Sequence, residues 1–252
     1  MNTYIELLFL FIMAILGGAI NVTIGGGWFL IFPSLIFRGI QPVTGTATTT
    51  IILWSGFLVS SKPTKKTDEI SKINFAYMVL ACTLGGVAGA MLLISFSHKV
   101  FETIAPYLLL CSWILFTFFN RILNYFTSEF AAKKEFNYSH AKLIPLFILG
   151  IYGGYFGAGM GMIVFILYRF YGIKNNETLE RSALFLVGAN NGIAILIFIF
   201  SGLIFWPFAL VMMAGSVLGG YLGNALKEKM NIPMVKKNAI VIGATVTLYF
   251  LA

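Results

Sequence analysis

The chain has 252 residues, of which 59% are hydrophobic and only 10% are charged, and this composition excludes a soluble globular domain. A formal net charge of +8 would suit nucleic-acid binding, but the basic residues stand in short clusters between apolar runs, as they do beside membranes. We therefore predict an all-α polytopic protein of the cell (inner or plasma) membrane, surrounded by membrane lipid, with no nucleic-acid partner.

The first apolar run is too long for one straight membrane helix. Residues 7–37 contain no charge, and as a single helix they would measure roughly 46 Å. The hydrocarbon core of a bilayer is only about 30 Å thick. Three consecutive glycines, Gly25, Gly26 and Gly27, interrupt the run, and each is roughly 1 kcal/mol less favourable in a helix than alanine. The sequence predicts a broken or re-entrant pair of half-helices that meets at these glycines.

The rest of the chain divides at its longest polar loop. Three apolar spans precede the loop, at 43–60, 73–96 and 104–120. A second long uncharged run, 143–168, follows it and contains another cluster of glycines. We therefore predict a first membrane repeat (1–120), a cytoplasmic loop (121–142) and a second membrane repeat (143–252), whose last span, 238–252, is short.

The second half of the sequence repeats the first in order. One constant offset pairs Gly17 with Gly150 and Gly26 with Gly159. Further along, nearly the same offset pairs LGGVAGAML at 84–92 with LGGYLGNAL at 218–226. Ordered matches over several segments favour duplication over coincidence.

The distribution of Lys and Arg indicates how the broken segments cross the membrane. If each segment crosses once, the 17 Lys and Arg residues divide 8 to 9, against the positive-inside rule. If each returns to its starting side, 15 fall on one side and only Arg38 and Lys99 on the other. We therefore predict two inverted repeats, each with one glycine-broken or re-entrant helix pair followed by three spans. This gives about 8 to 10 membrane segments with both termini extracytoplasmic. Such repeats with interrupted helices are typical of secondary transporters.

At these residues the chain resembles the sulfite exporter TauE/SafE family, also called the toluene sulfonate uptake permease (TSUP) family. The resemblance rests on INVTIGGGWFLIFPSLIF at 20–37, TGTATTT at 44–50, GAGMG at 157–161 with an Asn-containing span after it, and the two LGG segments. It covers nearly the whole chain. The resemblance implies export or uptake of small sulfur-containing anions or related organic anions, such as sulfite, sulfonates, thiosulfate or sulfoacetate.

The glycine breaks are the candidate anion site. A helix that starts after a break presents free N–H groups and about half a positive charge, and nearby hydroxyl and amide groups add neutral donors. The candidate substrate-binding residues are Asn21, Thr23, Gly25, Gly26, Gly27, Thr46, Thr49, Gly157, Gly159, Gly161, Asn190 and Asn191. Small residues also let membrane helices pack closely, and for the glycines of the two LGG segments we favour that role.

The leading function is therefore a secondary transporter that moves a small anion by alternating access, and the alternative is a passive anion channel with two re-entrant loops. We find no nucleophile with a base, no metal-ligand cluster and no phosphate-binding loop, so we predict no enzyme, no catalytic residues, no metal and no cofactor. Cys82 and Cys111 are interpreted as buried packing residues. Proton coupling and a homo-oligomer are compatible with these features, but no particular residue indicates either.

Overall fold

The computed structural model describes residues 3–60, 70–96, 98–128, 138–227, 229 and 232–251. These residues form ten α-helices and a short 3₁₀ turn, and they contain no strand. The helices are α1 (Thr3–Ile24), α2 (Trp28–Ile36), α3 (Pro42–Ser60), α4 (Lys72–Ser95), α5 (His98–Phe126), α6 (Leu143–Tyr155), α7 (Met160–Phe170), α8 (Asn176–Phe200), α9 (Trp206–Leu226) and α10 (Ile232–Leu251).

Six of the described helices, α1, α3, α4, α5, α8 and α9, are long and apolar enough to cross a membrane. Large hydrophobic side chains also cover their outer faces: Tyr4 is 80% exposed, Leu210 60% and Phe200 87%. Soluble proteins rarely expose so much contiguous apolar surface. The prediction of an all-helical, multi-pass membrane protein is confirmed.

Both long apolar runs are broken at their glycines, as predicted. α1 ends at Ile24 and α6 ends at Tyr155, and each is followed by a glycine with a positive φ, 78° at Gly25 and 77° at Gly157. This left-handed conformation is readily adopted only by glycine, and it is a common way to end a helix. The second break is shorter than expected, because α7 already begins at Met160. Gly161 therefore lies in the first turn of α7 rather than before it.

Each broken pair is a helical hairpin. A Cβ atom added at Gly17 of α1 would lie 2.6 Å from Ile31 of α2, and Arg38, just beyond α2, pairs with Glu6 in the first turn of α1 at 3.7 Å. α2 therefore runs back along α1 toward the end where α1 began.

The second hairpin is closed in the same way. The hydroxyl of Tyr171, just after α7, donates to the carbonyl oxygen of Lys142, just before α6, at 2.6 Å. The Lys142 ammonium also lies 5.2 Å from the centre of the Tyr171 ring. The start of α6 and the end of α7 are therefore neighbours, and both broken segments are re-entrant in shape.

The helices group into two compact units. Unit 1 contains α1, α2, α3, the part of α5 up to Trp113, α9 and α10, together with the last residues of α4 and α8. Unit 2 contains α4 up to Leu93, α5 from Ile114, α6, α7 and α8 up to Ile197. Neither unit follows the halves of the sequence, because α9 belongs with α1 and α4 belongs with α6.

In unit 1, glycines bring α1, α3 and α9 into backbone contact. A Cβ atom added at Gly219 of α9 would overlap the carbonyl oxygen of Ile15 in α1, and one added at Gly223 would lie 2.8 Å from Ala19. A Cβ atom added at Gly220 of α9 would lie 2.5 Å from the carbonyl oxygen of Gly56 in α3.

Unit 2 repeats this packing with α4 and α6. A Cβ atom added at Gly85 would overlap the carbonyl oxygen of Phe147, and one added at Gly89 would overlap that of Ile151. The predicted packing role of the glycines in both LGG segments is therefore borne out. The contacts also follow the sequence repeat, since Gly85 and Gly89 are the residues that pair with Gly219 and Gly223.

Two helices differ in extent from the sequence-based prediction. α5 starts at His98 and ends at Phe126, so it is longer than the apolar span 104–120 and includes the first residues assigned to the loop 121–142. α10 begins at Ile232 rather than at 238 and includes Lys236 and Lys237, and it is not among the six candidate spans. Hydropathy marks the apolar part of a helix, whereas its hydrogen bonds continue into polar sequence.

Candidate functional site

The first break presents unpaired backbone donors at the start of α2. Within the described part of the chain, the N–H groups of Gly26 and Gly27 donate no hydrogen bond. Gly27 is buried, and a Cβ atom there would lie 2.6 Å from Cβ of Asn21 and 2.9 Å from Leu53. The start of α2 is therefore closely packed, and it presents both unpaired backbone N–H groups and the positive end of the helix dipole.

The hydroxyl run of α3 divides into satisfied and unsatisfied groups. Thr50 donates to the carbonyl oxygen of Thr46 at 2.9 Å, and the hydroxyl of Thr48 accepts the N–H of Phe205 at 3.1 Å. By contrast, the side chains of Thr46 and Thr49 are only 1% and 0% exposed, and their Oγ1 atoms have no hydrogen-bond partner among the described residues. A buried hydroxyl without a partner costs about 1–3 kcal/mol, so these two stand out as candidate ligand donors.

These two hydroxyls lie on the face of α3 that is turned toward the first hairpin. Leu53, which contacts the Gly27 position, follows Thr49 by four residues and Thr46 by seven, which is the spacing of one helix face. Gly45 lies beside Ile36 near the end of α2, so α3 runs antiparallel to α2. Thr46 and Thr49 therefore form a row that leads from the end of α2 toward its start.

Two other predicted residues of the first break are less available. Thr23 donates its hydroxyl to the carbonyl oxygen of Ala19 at 2.8 Å, which is the ordinary way in which a helical threonine is satisfied. Gly25 is half-buried, and no atom lies within 4 Å of a Cβ added there, but its positive φ already explains the glycine.

The second break has the more open helix start. Gly159 precedes α7 with a φ of 74°, and neither its N–H nor that of Gly161 donates a hydrogen bond within the described residues. No atom lies within 4 Å of a Cβ added at Gly161. The turn itself is held by the Tyr152 hydroxyl, which donates to the carbonyl oxygen of Ala158.

The adjacent asparagines of α8 have different surroundings. Asn190 is 0% exposed, with its Nδ2 3.6 Å from Sδ of Met160 and its Oδ1 3.7 Å from Sγ of Cys82. Asn190 therefore packs against the start of α7, with two weak sulfur contacts in place of strong hydrogen bonds. Asn191 is half-buried, and its Oδ1 has no partner among the described residues.

The predicted site residues divide between the two compact units. Unit 1 holds Asn21, Thr23, Gly25, Gly26, Gly27, Thr46 and Thr49, and unit 2 holds Gly157, Gly159, Gly161, Asn190 and Asn191. One cysteine interpretation was wrong: Cys82 is buried, but Cys111 is exposed.

Ser216 is among the buried polar residues that sequence reasoning missed. Its side chain is 0% exposed, its Oγ has no partner in the part of the chain that the structure describes, and it packs against Gly18 and Gly56. The repeat contained a signal, because the offset that aligns the two LGG segments also pairs Cys82 with Ser216.

Comparison with known proteins gives relatives over nearly the whole chain. A "Probable membrane transporter protein" of Haemophilus influenzae is 24% identical over 98% of this chain and 95% of its own length. "Probable membrane transporter protein ORF9" of a Sinorhizobium species is 25% identical over 98% of this chain and 92% of its own length. "Probable membrane transporter protein YfcA" of Escherichia coli K12 is 24% identical over 94% of this chain and 87% of its own length. No solved structure matches the chain.

The family comparison agrees with the resemblance drawn from the glycine segments and the hydroxyl run. Residues 10–250 match the family described as "Sulfite exporter TauE/SafE", which leaves out only the two ends of the chain. The chain belongs to the sulfite exporter TauE/SafE family of membrane proteins.

Proposed function

We propose that the protein is a secondary transporter that moves small sulfur-containing or related organic anions across the cell membrane by alternating access. The observation that carries the proposal is the pair of helical hairpins, each broken at glycines, with donor groups left unpaired at the start of the second helix. Interrupted helices whose N-terminal ends face an anionic substrate group recur in secondary transporters. The transporter names of the relatives support the general class.

The binding chemistry that we propose uses backbone and neutral donors. A helix start carries about half a positive charge, and glycine lets an anion approach its N–H groups closely. Gly26, Gly27, Gly159 and Gly161 supply such N–H groups, and the hydroxyls of Thr46 and Thr49 add donors. Neutral donors suit an anion that must also be released, because they bind it less tightly than a buried salt bridge does.

The re-entrant shape of both hairpins supports the proposed topology. With each hairpin returning to its own side, the positive-inside rule places both termini outside the cytoplasm and gives the two halves of the sequence opposite orientations. Reactivity of cysteines introduced at Lys65 and Arg38 toward an impermeant thiol reagent tests this orientation. Labelling of the Arg38 position in intact cells, with the Lys65 position labelled only after lysis, is the expected result.

Uptake into proteoliposomes tests the function. Purified protein is reconstituted, and uptake of labelled sulfite, thiosulfate and a small sulfonate is followed with and without an imposed proton gradient. We expect saturable uptake of at least one anion, acceleration of labelled uptake by unlabelled anion trapped inside, and none in protein-free vesicles. The effect of the proton gradient decides whether transport is proton-coupled.

The same experiment separates the transporter from the passive anion channel, which would share the re-entrant hairpins. A channel gives uptake that does not saturate and is not accelerated by trapped anion. That result would replace the transporter proposal with the channel. Failure of all three anions in vesicles with folded protein would remove the sulfur-anion substrate class.

A further inference from the structure

The open end of the first hairpin carries a cationic side chain in a fixed position. The N–H of Arg38 donates to the carbonyl oxygen of Leu35 at 3.0 Å, so its backbone belongs to the turn that ends α2. Its guanidinium carbon lies 5.2 Å from the centre of the Phe9 ring, and its Nε lies 3.7 Å from Oε1 of Glu6. The Arg38 and Glu6 side chains remain 18% and 24% exposed.

This ion pair is loose. At 3.7 Å, Nε and the carboxylate oxygen are beyond hydrogen-bonding distance, although they are close enough for charge attraction. At this separation the pair lacks the strong charge-assisted hydrogen bond that a closer guanidinium and carboxylate would form. An incoming oxyanion with two or three oxygens presents the same acceptor geometry as a carboxylate, which the planar guanidinium binds well.

The position of Arg38 connects it to the row of unpaired hydroxyls. α3 begins at Pro42, four residues after Arg38, and passes Thr46 and then Thr49 before Leu53 reaches the Gly27 position. Followed from Arg38 along α3, the chain therefore carries a partly exposed cation and then two buried hydroxyls without partners among the described residues, and it reaches the unpaired N–H groups at the start of α2. All of these groups can donate hydrogen bonds to an anion.

Charge is scarce on this side of the membrane. In the orientation proposed above, Arg38 and Lys99 are the only Lys and Arg residues on the extracytoplasmic side. Lys99 is exposed in the first turn of α5, whereas Arg38 lies between α2 and α3, four residues before the helix that carries the hydroxyl row. A cation in a surface poor in positive charge is the natural first contact for an anion.

We infer that Arg38 is the extracytoplasmic capture site for the transported anion, and that Glu6 competes with the anion for the guanidinium. This inference rests on the proposed transport function and names a residue that the glycine-break site does not include. Glu6 keeps Arg38 at the hairpin mouth when no anion is present. The arriving anion replaces the carboxylate and is then held at the end of the hairpin, four residues before the start of α3.

The test compares KM and maximal rate of sulfite uptake in proteoliposomes for Glu6→Gln, Arg38→Gln, Arg38→Lys and the control Lys99→Gln. Removal of the competing carboxylate is expected to lower KM by roughly twofold to fivefold, the range that a weak ion pair contributes. Arg38→Gln is expected to raise KM by about tenfold with little change in maximal rate, since a charge-assisted contact is lost. Arg38→Lys should recover part of this loss, and Lys99→Gln should stay within about twofold of the wild type.

The outcomes separate the inference from the function that it builds on. Unchanged KM in both Glu6→Gln and Arg38→Gln, with saturable wild-type uptake, would overturn the capture site and leave the transporter standing. A raised KM in Glu6→Gln would also overturn it, because the carboxylate would then aid binding. If the wild type transports none of the anions, thermal stabilisation of the purified protein by sulfite replaces uptake as the readout. Absence of stabilisation in the wild type and in Glu6→Gln then rejects the capture site and removes the sulfur-anion substrate class.

Discussion

Thr49→Val is the most informative single substitution in the candidate site, because stability and transport are expected to change in opposite directions. The side chain is 0% exposed, and its hydroxyl has no partner among the described residues. Valine has nearly the same shape, so the change removes an unsatisfied polar group whose burial costs about 1–3 kcal/mol. The variant should therefore unfold at the same or a higher temperature, by about 2–4 °C for each kcal/mol gained.

Transport should nevertheless fall if the hydroxyl donates to the anion. A hydrogen bond to a charged group is worth about 1.5–3 kcal/mol, which corresponds to roughly a tenfold to hundredfold lower kcat/KM for uptake. The assay is initial uptake into proteoliposomes over a range of anion concentrations, beside a thermal unfolding curve of the same preparation in detergent.

Thr50→Val is the matched control. The two threonines are adjacent on α3, but the hydroxyl of Thr50 already donates to the carbonyl oxygen of Thr46. The control should lose about 0.5–1.5 kcal/mol of stability and keep its transport. Wild-type uptake by Thr49→Val, or an equal loss of uptake in both variants, would refute the role of this hydroxyl.

Three further substitutions test other parts of the structure. Gly161→Ala adds a Cβ atom with no neighbour within 4 Å, so it should stabilise α7 by up to about 1 kcal/mol while hindering anion approach. Full uptake by this variant would exclude the start of α7 from the site. Gly219→Ala should lower stability by about 1–3 kcal/mol or more, seen as earlier aggregation on heating, because its Cβ overlaps a carbonyl oxygen of α1. Asn190→Leu, of similar shape, should fold and keep its unfolding temperature, since only weak sulfur contacts are lost. A marked drop in that temperature would show that Asn190 is a structural residue.

The helix breaks could be predicted from the sequence because two independent limits converge on them. The uncharged run 7–37 is too long for one span, and its consecutive glycines weaken the helix at one point. The return of each hairpin was also indicated, by the clusters of Lys and Arg. The length of the uncharged run, the position of the glycines and the distribution of Lys and Arg can all be read along the sequence, and the structure has the breaks and hairpins that they predict.

Helix partners could not be predicted in this way. The glycines at 85 and 219 were expected to pack against a helix, but nothing in their spacing says which one. The choice of α6 for α4 and of α1 for α9 depends on the shapes of surfaces far apart in the sequence. Because the two glycine segments are so similar, the sequence does not distinguish the possible partner helices of each.

The polar part of the site was only partly predictable, for a related reason. The sequence offers a run of threonines on α3, but it does not tell which hydroxyls bond back to their own helix. The hydrogen bonding of each hydroxyl depends on its side-chain rotamer and on neighbours such as Phe205, whose N–H donates to the Thr48 hydroxyl. Ser216 was missed because a lone serine in an apolar span is usually satisfied by its own backbone.

The pairing of α1 with α9 has a consequence for how the chain is made. α1 leaves the ribosome well before α9 (Trp206–Leu226), which carries the glycine face that α1 packs against. Until then α1 and α3 remain without that partner, and α4 likewise waits for α6. A nascent chain stalled before α9 should be unusually sensitive to membrane proteases. If the gene is split at the loop between α5 and α6, each fragment should be degraded alone and rescued by co-expression of the other.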